Sequence, residues 1–343
     1  MGKYGKVIGN ISRTGIIAIL LFIPVLNGNG QESGPLQWHT FWGATDLHWP
    51  DEGRAVAAEG GSVYIAGHSY GSWVGATNPD GSPITILRNK VSEGNRDGVV
   101  MKASQEGLLE WVTFLGGWHD DESCLDIAVV PAGDFQGIYA CGFSGVWSDP
   151  YEINDPVSNI IHQHYTSGGQ DAFVIRMDLD GNIQWLTFLG GSGQDIANSM
   201  TIDDTSGEIC ITGYSGRPWV DDDYQNEPIN PFSEDWQDDA FVAKLDANGN
   251  YYWHTFLGGT EGNGKGDYGS GIDFDPAGNI YVGGHSTGTW GTPLGGFYHQ
   301  GGARLPLLGC LHGRSRSRMG RQTQSQRMVM TERTKMRRCL PGK

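Results

Sequence analysis

The residues that first suggest chemistry are a serine between two glycines, Gly67-His-Ser-Tyr-Gly71. This pattern fits the nucleophile elbow of hydrolases, in which a strand leads directly into a helix and presents the serine to a substrate. The pattern recurs as Gly284-His-Ser-Thr-Gly288, and shorter versions end at Ser144 and Ser215. A single active site does not repeat in this way. We therefore interpret these serines as strand ends and predict no catalytic residue.

A tryptophan follows each of these serines and stands near the start of a long connection. Because the set recurs, packing between structural units is the favoured role of these indoles. The alternative is a set of partly exposed platforms that stack on sugars or anchor a protein partner. On that alternative the ligand-binding candidates are Trp73, Trp147, Trp219 and Trp290.

The segment from Val220 to Asp239 holds eight carboxylates and no Lys or Arg. Carboxylate oxygens are preferred ligands of Ca²⁺, so calcium is the one cofactor that the sequence suggests. The metal candidates are Asp221, Asp222, Asp223 and Glu227, and a solvated acidic surface is the competing interpretation. The stretch from Asp178 to Asn182 slightly resembles part of a calcium loop. It lacks the spacing and the terminal Glu of that loop, so we interpret it as a turn.

The histidines and cysteines indicate a metal site or a disulfide only weakly. His162-Gln-His164 has no Cys or Glu beside it at the spacing of a zinc site and stays unassigned. Cys124, Cys141 and Cys210 are the cysteines of the main body. Two interpretations stay open for them: a disulfide between Cys124 and Cys141 after export, or burial as small apolar residues.

All of these residues sit within a repeat. Trp-x-Thr-Phe occurs at 38–41, 111–114, 185–188 and 253–256, spaced by 73, 74 and 68 residues. Three further elements recur with it. The first lies at 63–69, 138–144, 209–215 and 280–286, and the second lies at 97–102, 171–176 and 239–244. The third lies at 127–129, 200–203 and 272–275. The elements are short, mostly rich in β-branched and aromatic residues, and flanked by Gly, Asn or Asp, as strands are. Four strands per unit predict an all-β fold, a β-propeller built of four-stranded antiparallel blades.

The repeat also resembles a known family. The matching residues are Asp171-Ala-Phe-Val-Ile-Arg-Met-Asp178, Gly181-Asn182, Trp185-Leu-Thr-Phe-Leu-Gly-Gly191 and Ile209-Cys-Ile-Thr-Gly-Tyr-Ser215. In them the chain resembles the bacterial β-propeller repeat (SBBP repeat) family, over about residues 37–300. The resemblance implies a secreted or surface propeller without an assigned activity, and it carries over no catalytic residue. The fourth copy departs from the pattern after Ser286.

We divide the chain into three regions. Residues 1–30 have a basic start and a short apolar run at 15–25, which predicts a signal peptide, with an uncleaved anchor as the alternative. Residues 31–302 are the propeller repeat domain, with repeats at about 37–108, 109–182, 183–250 and 251–302. Residues 303–343 form a basic tail with eleven Lys or Arg and one acid. For this tail we favour a frameshift near Ala303 over a native or disordered interaction tail.

The repeats predict about three and a half blades, and we expect the chain to be truncated. The alternative is a third strand of the fourth blade at 305–311, which would let four blades close into a ring. Pro306 and Gly309 disfavour that strand, because Pro belongs at strand edges. On either alternative, the connections at 70–96, 145–170 and 216–238 are long and the turns at the other end of the blades are short.

The charge excludes some classes of partner. The 343 residues include 54 Gly and carry a formal net charge of −16, but residues 31–302 hold nine Lys or Arg against 38 Asp or Glu. A body with a net charge of −29 repels phosphate, so we expect no nucleic-acid partner. Beyond the leader we expect no integral membrane domain.

We expect a secreted, periplasmic or cell-surface propeller that acts as a non-enzymatic binding or structural scaffold. An extracellular glycan or a protein is the expected partner. The alternative is a carbohydrate-active hydrolase or lyase that uses the acidic loop face, since one fold hosts many functions. Such an enzyme would need two facing carboxylates on neighbouring loops.

Overall fold

The computed structural model describes residues 17–20, 25–26, 32–33, 39–43, 51–89, 95–117, 121–145, 160–162, 169–219, 227–233, 237–259, 266–287 and 305–312. The strands in chain order are β1 (Ile17–Leu20), β2 (Val25–Leu26), β3 (Glu32–Ser33), β4 (His39–Trp42), β5 (Glu52–Glu59), β6 (Ser62–Ser69), β7 (Thr85–Arg88), β8 (Asp97–Ser104), β9 (Leu109–Leu115), β10 (Ser123–Val130), β11 (Gly137–Ser144), β12 (Ile160–His162), β13 (Asp171–Met177), β14 (Ile183–Leu189), β15 (Asp195–Ile202), β16 (Ile209–Ser215), β17 (Asp239–Leu245), β18 (Tyr251–Leu257), β19 (Tyr268–Phe274), β20 (Asn279–Ser286) and β21 (Leu305–His312). A helix long and apolar enough to cross a membrane does not occur in the described segments.

Four antiparallel meanders contain most of these strands. Blade 1 is β5-β6-β8-β9, blade 2 is β10-β11-β13-β14, blade 3 is β15-β16-β17-β18, and blade 4 is β19-β20-β21. We name the strands of each blade a to d in that order. The a strands of successive blades contact one another, which places them on the inner side of the array and the d strands on the outer side. The predicted all-β fold with four-stranded antiparallel blades is confirmed, and no pairing among the described strands closes the array into a ring.

The two ends of the blades differ. The a–b and c–d turns lie at one end, which we call the turn-bearing end. The b–c connections and the d–a links lie at the other, which we call the loop-bearing end. At the turn-bearing end the chain reverses within a few residues, with Gly181 and Gly249 at positive φ. Their neighbouring aspartates, Asp178 and Asp246, each accept two backbone N–H groups through Oδ1. Asp178–Asn182 is therefore a turn, as predicted.

The described parts of the b–c connections pair with the outer edge of the blades. In blades 1 and 2 they return along the outer edge, where β7 and β12 each pair parallel with strand d. In blade 3 the same edge is covered at Ile229, whose N–H donates to the carbonyl oxygen of His254 at 3.0 Å. A free outer edge would present unpaired backbone groups to other chains. The sequence did not reveal these edge strands, because three or four residues give no readable alternation.

Two short pairings precede blade 1 in the chain, and a third pairing completes blade 4. β1, within the apolar run of the leader, pairs antiparallel with β4, and β2 pairs with β3. β21 pairs antiparallel with β20 along its whole length and occupies the place of strand c in blade 4. Trp42 follows the first Trp-x-Thr-Phe copy and packs on blade 1, just as Leu115 after the second copy packs on blade 2. Strand β4 therefore stands where the d strand of a preceding blade belongs.

Apolar side chains from both faces of each blade form cores with the neighbouring blades. Val100 of blade 1 and Phe173 of blade 2 share one core, Val174 of blade 2 and Phe241 of blade 3 the next, and Val242 of blade 3 and Ile280 of blade 4 the third. Because side chains alternate between the two faces of a strand, Phe173 and Val174 serve different neighbours. Burial of each such residue contributes about 1.5–3 kcal/mol.

The Trp-x-Thr-Phe motif connects each blade to the next. Thr187 Oγ1 donates to the carbonyl oxygen of Gly249 at 2.6 Å, and Thr113 Oγ1 donates to that of Gly181 at 3.3 Å. A Cβ on Gly249 would stand 2.7 Å from the Trp185 ring, so the indole lies directly on the backbone of that turn. The Trp and Thr of one repeat are therefore matched to the Gly of the next.

A second constraint lies inside each blade. Every a strand contains a register shift near its start, between residues 53 and 55, 124 and 126, 197 and 199, and 269 and 271. There the a-strand backbone crowds the Gly of strand b. A Cβ on Gly213 would overlap the carbonyl oxygen of Ile196, and Gly67, Gly142 and Gly284 are placed in the same way. The Gly of the Gly-x-Ser pattern is thus required by packing.

We predict that Gly213→Ala lowers the free energy of unfolding by about 3 kcal/mol, because the new methyl group has no space. Gly271→Ala is the matched control. Gly271 also lies in a strand, and a Cβ there would meet nothing within 4 Å. The control should change stability by less than about 0.5 kcal/mol. Urea unfolding of both variants measures the difference, and equal losses would contradict the packing account.

Candidate functional site

The serines that end the b strands lie at the loop-bearing end. Ser69 is the last residue of β6, and the chain continues into a turn. Its Oγ donates to the carbonyl oxygen of Gly71 at 3.1 Å and accepts the indole N–H of Trp73 at 3.0 Å. Ser69 is buried. The hydroxyl therefore anchors a turn, and the strand-to-helix geometry of a nucleophile elbow is not present here.

Two of the four candidate tryptophans lie in the described residues, and both are buried. Trp73 is 2% exposed and Trp219 is 4% exposed. Trp219 donates its indole N–H to Asp195 Oδ1 at 2.9 Å and to Ser215 Oγ at 3.1 Å, and its ring packs on Phe241. Both indoles anchor the start of a b–c connection, so the structure supports the packing role and offers no exposed platform at either. Trp147 and Trp290 lie outside the described residues.

Buried carboxylates recur at every blade junction. Asp195, the first residue of β15, accepts the N–H of Gly191 at 2.8 Å in addition to the Trp219 indole. Burial raises the pKa of Asp195 to about 6, the charge of Asp238 adds to this, and the hydrogen bonds oppose it. Asp171 of blade 2 lies beside it. Asp171 Oδ1 and Asp195 Oδ2 are each 2.7 Å from the position that a Cβ on Gly190 would take.

The same arrangement appears at the other junctions. Glu122 and Asp267 stand at the equivalent place before strand a, and each accepts a backbone N–H of the preceding d–a link, from Gly117 and Gly259. Both carboxylates are buried. Buried acids that hold the backbone in every repeat serve the fold, because a reaction centre needs a group that a substrate can reach.

The calcium candidates are mostly outside the described residues. Asp221, Asp222 and Asp223 fall there, and Glu227 is exposed on the surface. Within the described segments no group of three or more His, Cys, Asp or Glu is placed to hold a metal ion. Calcium binding by the 220–239 segment stays a prediction.

The cysteines of the main body are buried as small apolar residues, which is the second of the two interpretations left open by the sequence. Cys124, Cys141 and Cys210 are all buried, and none of them forms a disulfide within the described part of the chain. Cys124 lies in the core between blades 1 and 2, whereas Cys141 lies in the core between blades 2 and 3. The two thiols therefore point to opposite faces of blade 2, which prevents the disulfide that the sequence left open. Burial raises the pKa of both the Cys124 and the Cys210 thiol.

A row of polar side chains crosses the blade junctions at the loop-bearing end. Arg96 lies 3.8 Å from Asp121 in an ion pair, and the Gln170 amide N–H donates to the carbonyl oxygen of Asp121 at 2.8 Å. The Gln194 amide N–H donates to Gln170 Oε1 at 2.8 Å. All four are half-buried or exposed.

The row continues into blades 3 and 4. The Tyr214 hydroxyl donates to Gln194 Oε1 at 3.3 Å, and the rings of Tyr214 and Tyr268 lie 4.7 Å apart. The Tyr268 hydroxyl donates to Asp238 Oδ2 at 2.7 Å. We call this row the junction ladder; it consists of Arg96, Asp121, Gln170, Gln194, Tyr214, Asp238 and Tyr268.

Sequence reasoning did not find the junction ladder. Its members lie at the start of strand c or strand a, within two residues of the first strand position, or next to the serine that ends strand b. Arg96, Gln170 and Asp238 occupy equivalent positions before strand c but differ in type. A search for recurring residues passes over such positions. The available signal was the opposite one, a polar position of variable type directly before an aspartate that recurs in each repeat.

Two buried histidines interrupt the apolar pattern. His254 occupies the place held by Val112 and Leu186 in blades 1 and 2, and its Nδ1 lies 2.6 Å from the Tyr251 hydroxyl. Burial lowers the pKa of His254 to about 4. His68 lies 3.0 Å from Ser123 Oγ, and burial, with the charges of Arg96 and Arg54, lowers its pKa to about 3.

Comparison with known proteins identifies the repeat. The family model described as SBBP, Beta-propeller repeat, matches residues 253–289, which run from strand d of blade 3 through strands a and b of blade 4. The resemblance inferred from the sequence is thus confirmed for this copy. No curated protein matches the chain in sequence.

We predict that Trp219→Phe destabilises the fold more than Trp185→Phe. Both changes remove similar ring area from a buried indole. The Trp219 change loses two hydrogen bonds and removes one of the donors to the buried Asp195 carboxylate, whereas the indole N–H of Trp185 has no hydrogen-bond acceptor among the described residues. The difference in the free energy of unfolding should be about 2 kcal/mol. Chemical unfolding measures it, and equal losses would contradict an anchoring role for Trp219.

We also predict that stability falls on acidification. A histidine whose folded pKa lies below the unfolded value of 6.5 contributes stability above pH 6.5 that is lost as pH falls toward the folded value. For His254 the loss between pH 8 and pH 4 is about 3 kcal/mol. Asp195 acts in the opposite direction, because its raised pKa favours the folded state below pH 6.

His254→Leu tests this prediction. Leucine fills the equivalent position in blade 2, so the variant should fold at pH 8. Its melting temperature should then fall less between pH 6.5 and pH 4 than that of the unchanged chain. If the melting temperatures of the variant and the unchanged chain fall equally across this range, His254 is not the cause of the acid sensitivity.

Proposed function

We propose that this chain, which carries an SBBP beta-propeller repeat, is an exported, non-enzymatic scaffold that binds a partner at its loop-bearing end. The proposal rests on the structural role of the side chains that could have been reactive. Ser69, Asp195 and Trp219 are buried and hydrogen-bonded to each other or to the backbone around them. They support the blades, and binding is left to the polar side chains that remain half-exposed.

The place of binding follows from the difference between the two ends. At the turn-bearing end, the c–d turns of blades 1, 2 and 3 repeat the same backbone hydrogen bonds, in which Ser104, Asp178 and Asp246 each donate an N–H across the turn. At the loop-bearing end the connections are long and differ in sequence, and binding residues concentrate on such segments of a rigid scaffold. Extracellular glycans and proteins are the partner classes that we propose.

Export is supported by the composition of the first thirty residues. Lys3, Lys6 and Arg13 precede the apolar run at 15–25, and small polar residues follow it. The three reduced cysteines do not oppose this location, since each is buried within a core.

One observation favours the alternative of a hydrolase or lyase. Asp171 and Asp195 lie side by side, and the pKa of Asp195 is raised to about 6, as in a general acid. However, their relative exposures are 1% and 0%. A glycosidic bond cannot reach carboxylates that are enclosed between two blades, so the scaffold function is preferred.

The test uses the full chain produced in a bacterial host. Cytoplasm, periplasm and medium are separated and the chain is quantified in each, beside a Leu21→Arg variant in which the leader is interrupted by a charge. The exported fraction is then assayed with chromogenic esters and glycosides. We expect export that depends on the intact leader and no substrate turnover above buffer.

Two results would overturn the proposal. If the chain and the Leu21→Arg variant are distributed equally among cytoplasm, periplasm and medium, the leader does not direct export. Turnover abolished by Asp195→Asn but retained by Asp178→Asn would establish the enzyme, because Asp178 is a half-buried turn aspartate at the opposite end of blade 2.

A further inference from the structure

The junction ladder brings half-exposed polar groups of all four blades into one connected row. We propose that this ladder binds a neutral oligosaccharide. The inference rests on the proposed function and deepens it, because it names the chemical class of the partner and the residues that contact it.

The ladder keeps hydrogen-bonding capacity that its internal contacts do not use. An amide side chain has two N–H donors and two acceptor lone pairs. Gln194 uses one N–H toward Gln170 and accepts one hydrogen bond from Tyr214. Because Gln194 is exposed, its second donor and second lone pair are accessible. Sugar hydroxyls both donate and accept, so an exposed amide matches two adjacent hydroxyls.

Aromatic rings flank the amides. Tyr214, Tyr268 and His285 form a row of half-buried rings with centroid distances of 4.7 and 4.8 Å, the second pair stacked at 24°. An amphipathic ring offers an apolar face and a polar tip at the same place. Rings beside planar amides suit a ligand whose C–H faces and hydroxyl edges alternate, as those of a pyranose do.

Charge selects the class of saccharide. The positive charge of Arg96 is paired with Asp121, and Asp238 adds a negative charge at the other end of the ladder. The body around it carries a net charge of −29. Such a field repels sulfated or uronic sugars and leaves neutral chains unaffected.

A protein partner fits this surface less well. Protein hot spots are large aromatic or Arg side chains packed in desolvated pockets, within an apolar patch. The exposed large hydrophobic side chains in the described part of the chain lie off the ladder, at Val74, Leu87, Ile161, Ile229 and Tyr252. The ladder itself presents amides, carboxylates and tyrosine hydroxyls.

The backbone holds the ladder in position. The N–H of Asp195 donates to the carbonyl oxygen of Gln170 at 2.7 Å, and that of Asp267 donates to Asp238 at 2.7 Å. Glu122 makes the same bond to Arg96 at 2.9 Å. The side chains of the ladder therefore project from a backbone already fixed at each junction, which lowers the entropic cost of binding.

The experiment is calorimetric titration of the full chain with cellohexaose, maltohexaose, xylohexaose and mannohexaose, and with hexagalacturonate as the anionic counterpart. We expect at least one neutral hexasaccharide to bind and the anionic one not to bind. Gln194→Ala should weaken binding about tenfold, since it removes two hydrogen bonds. Tyr214→Phe, which keeps the ring, should weaken it about threefold. The matched control is Tyr252→Ala, an exposed tyrosine at the opposite end of blade 3.

Three results would overturn the inference: no binding by any neutral hexasaccharide at millimolar concentration, tighter binding of hexagalacturonate, or equal losses in Gln194→Ala and Tyr252→Ala. Unchanged melting temperatures of the variants show that the losses concern binding and not folding. A chain that is exported, inert toward the substrates and unable to bind these sugars would overturn only this inference and keep the scaffold function.

Discussion

The packing of one blade on the next is the interaction on which the rest of the structure depends. Each blade has two apolar faces, and a single sheet cannot bury both. Phe173 and Val174 are neighbours in one strand, yet they complete different cores. The repeat therefore has to carry both halves of a contact, the Trp and Thr at the end of one unit and the Gly of the c–d turn in the next. This matching between successive units explains why these few residues recur while the rest of the sequence varies.

The same constraint gives the Gly-x-Ser residues and the acids at the junctions a role in the fold. The Gly of the Gly-x-Ser pattern is present because the bulged a strand leaves no room for a side chain, and the Ser anchors a turn or an indole. The acids at the junctions hold d–a backbone groups, as Asp195 holds Gly191. Residue types typical of hydrolases are thus used to join sheets, and repetition at equivalent positions distinguishes this use from a single active site.

The fold was largely predictable, and the candidate site was not. Strand composition, Asp-Gly and Asn-Gly turns and the regular spacing determine the blades, because these are local signals that recur. The edge strands β7 and β12 were missed, since their pairing with strand d depends on a partner about 25 residues away. The sequence also gave no means to decide whether Trp219 is exposed, because burial of an indole depends on where the connection after it folds. The Gln170–Gln194 contact joins two blades and has no counterpart in local pattern.

In a repeat protein, a position whose backbone conformation is the same in every repeat but whose side chain varies can be specialised for function. The residue before strand c serves every junction through its carbonyl oxygen, which accepts the N–H of the acid that begins the next blade. Since the backbone meets that requirement, the side chain is free to differ, and it is Arg96, Gln170 and Asp238 in successive blades. Repeated residues therefore reflect the fold, whereas the residues that differ at equivalent places are the ones that can be specialised for recognition. The junction ladder is built from positions of the second kind.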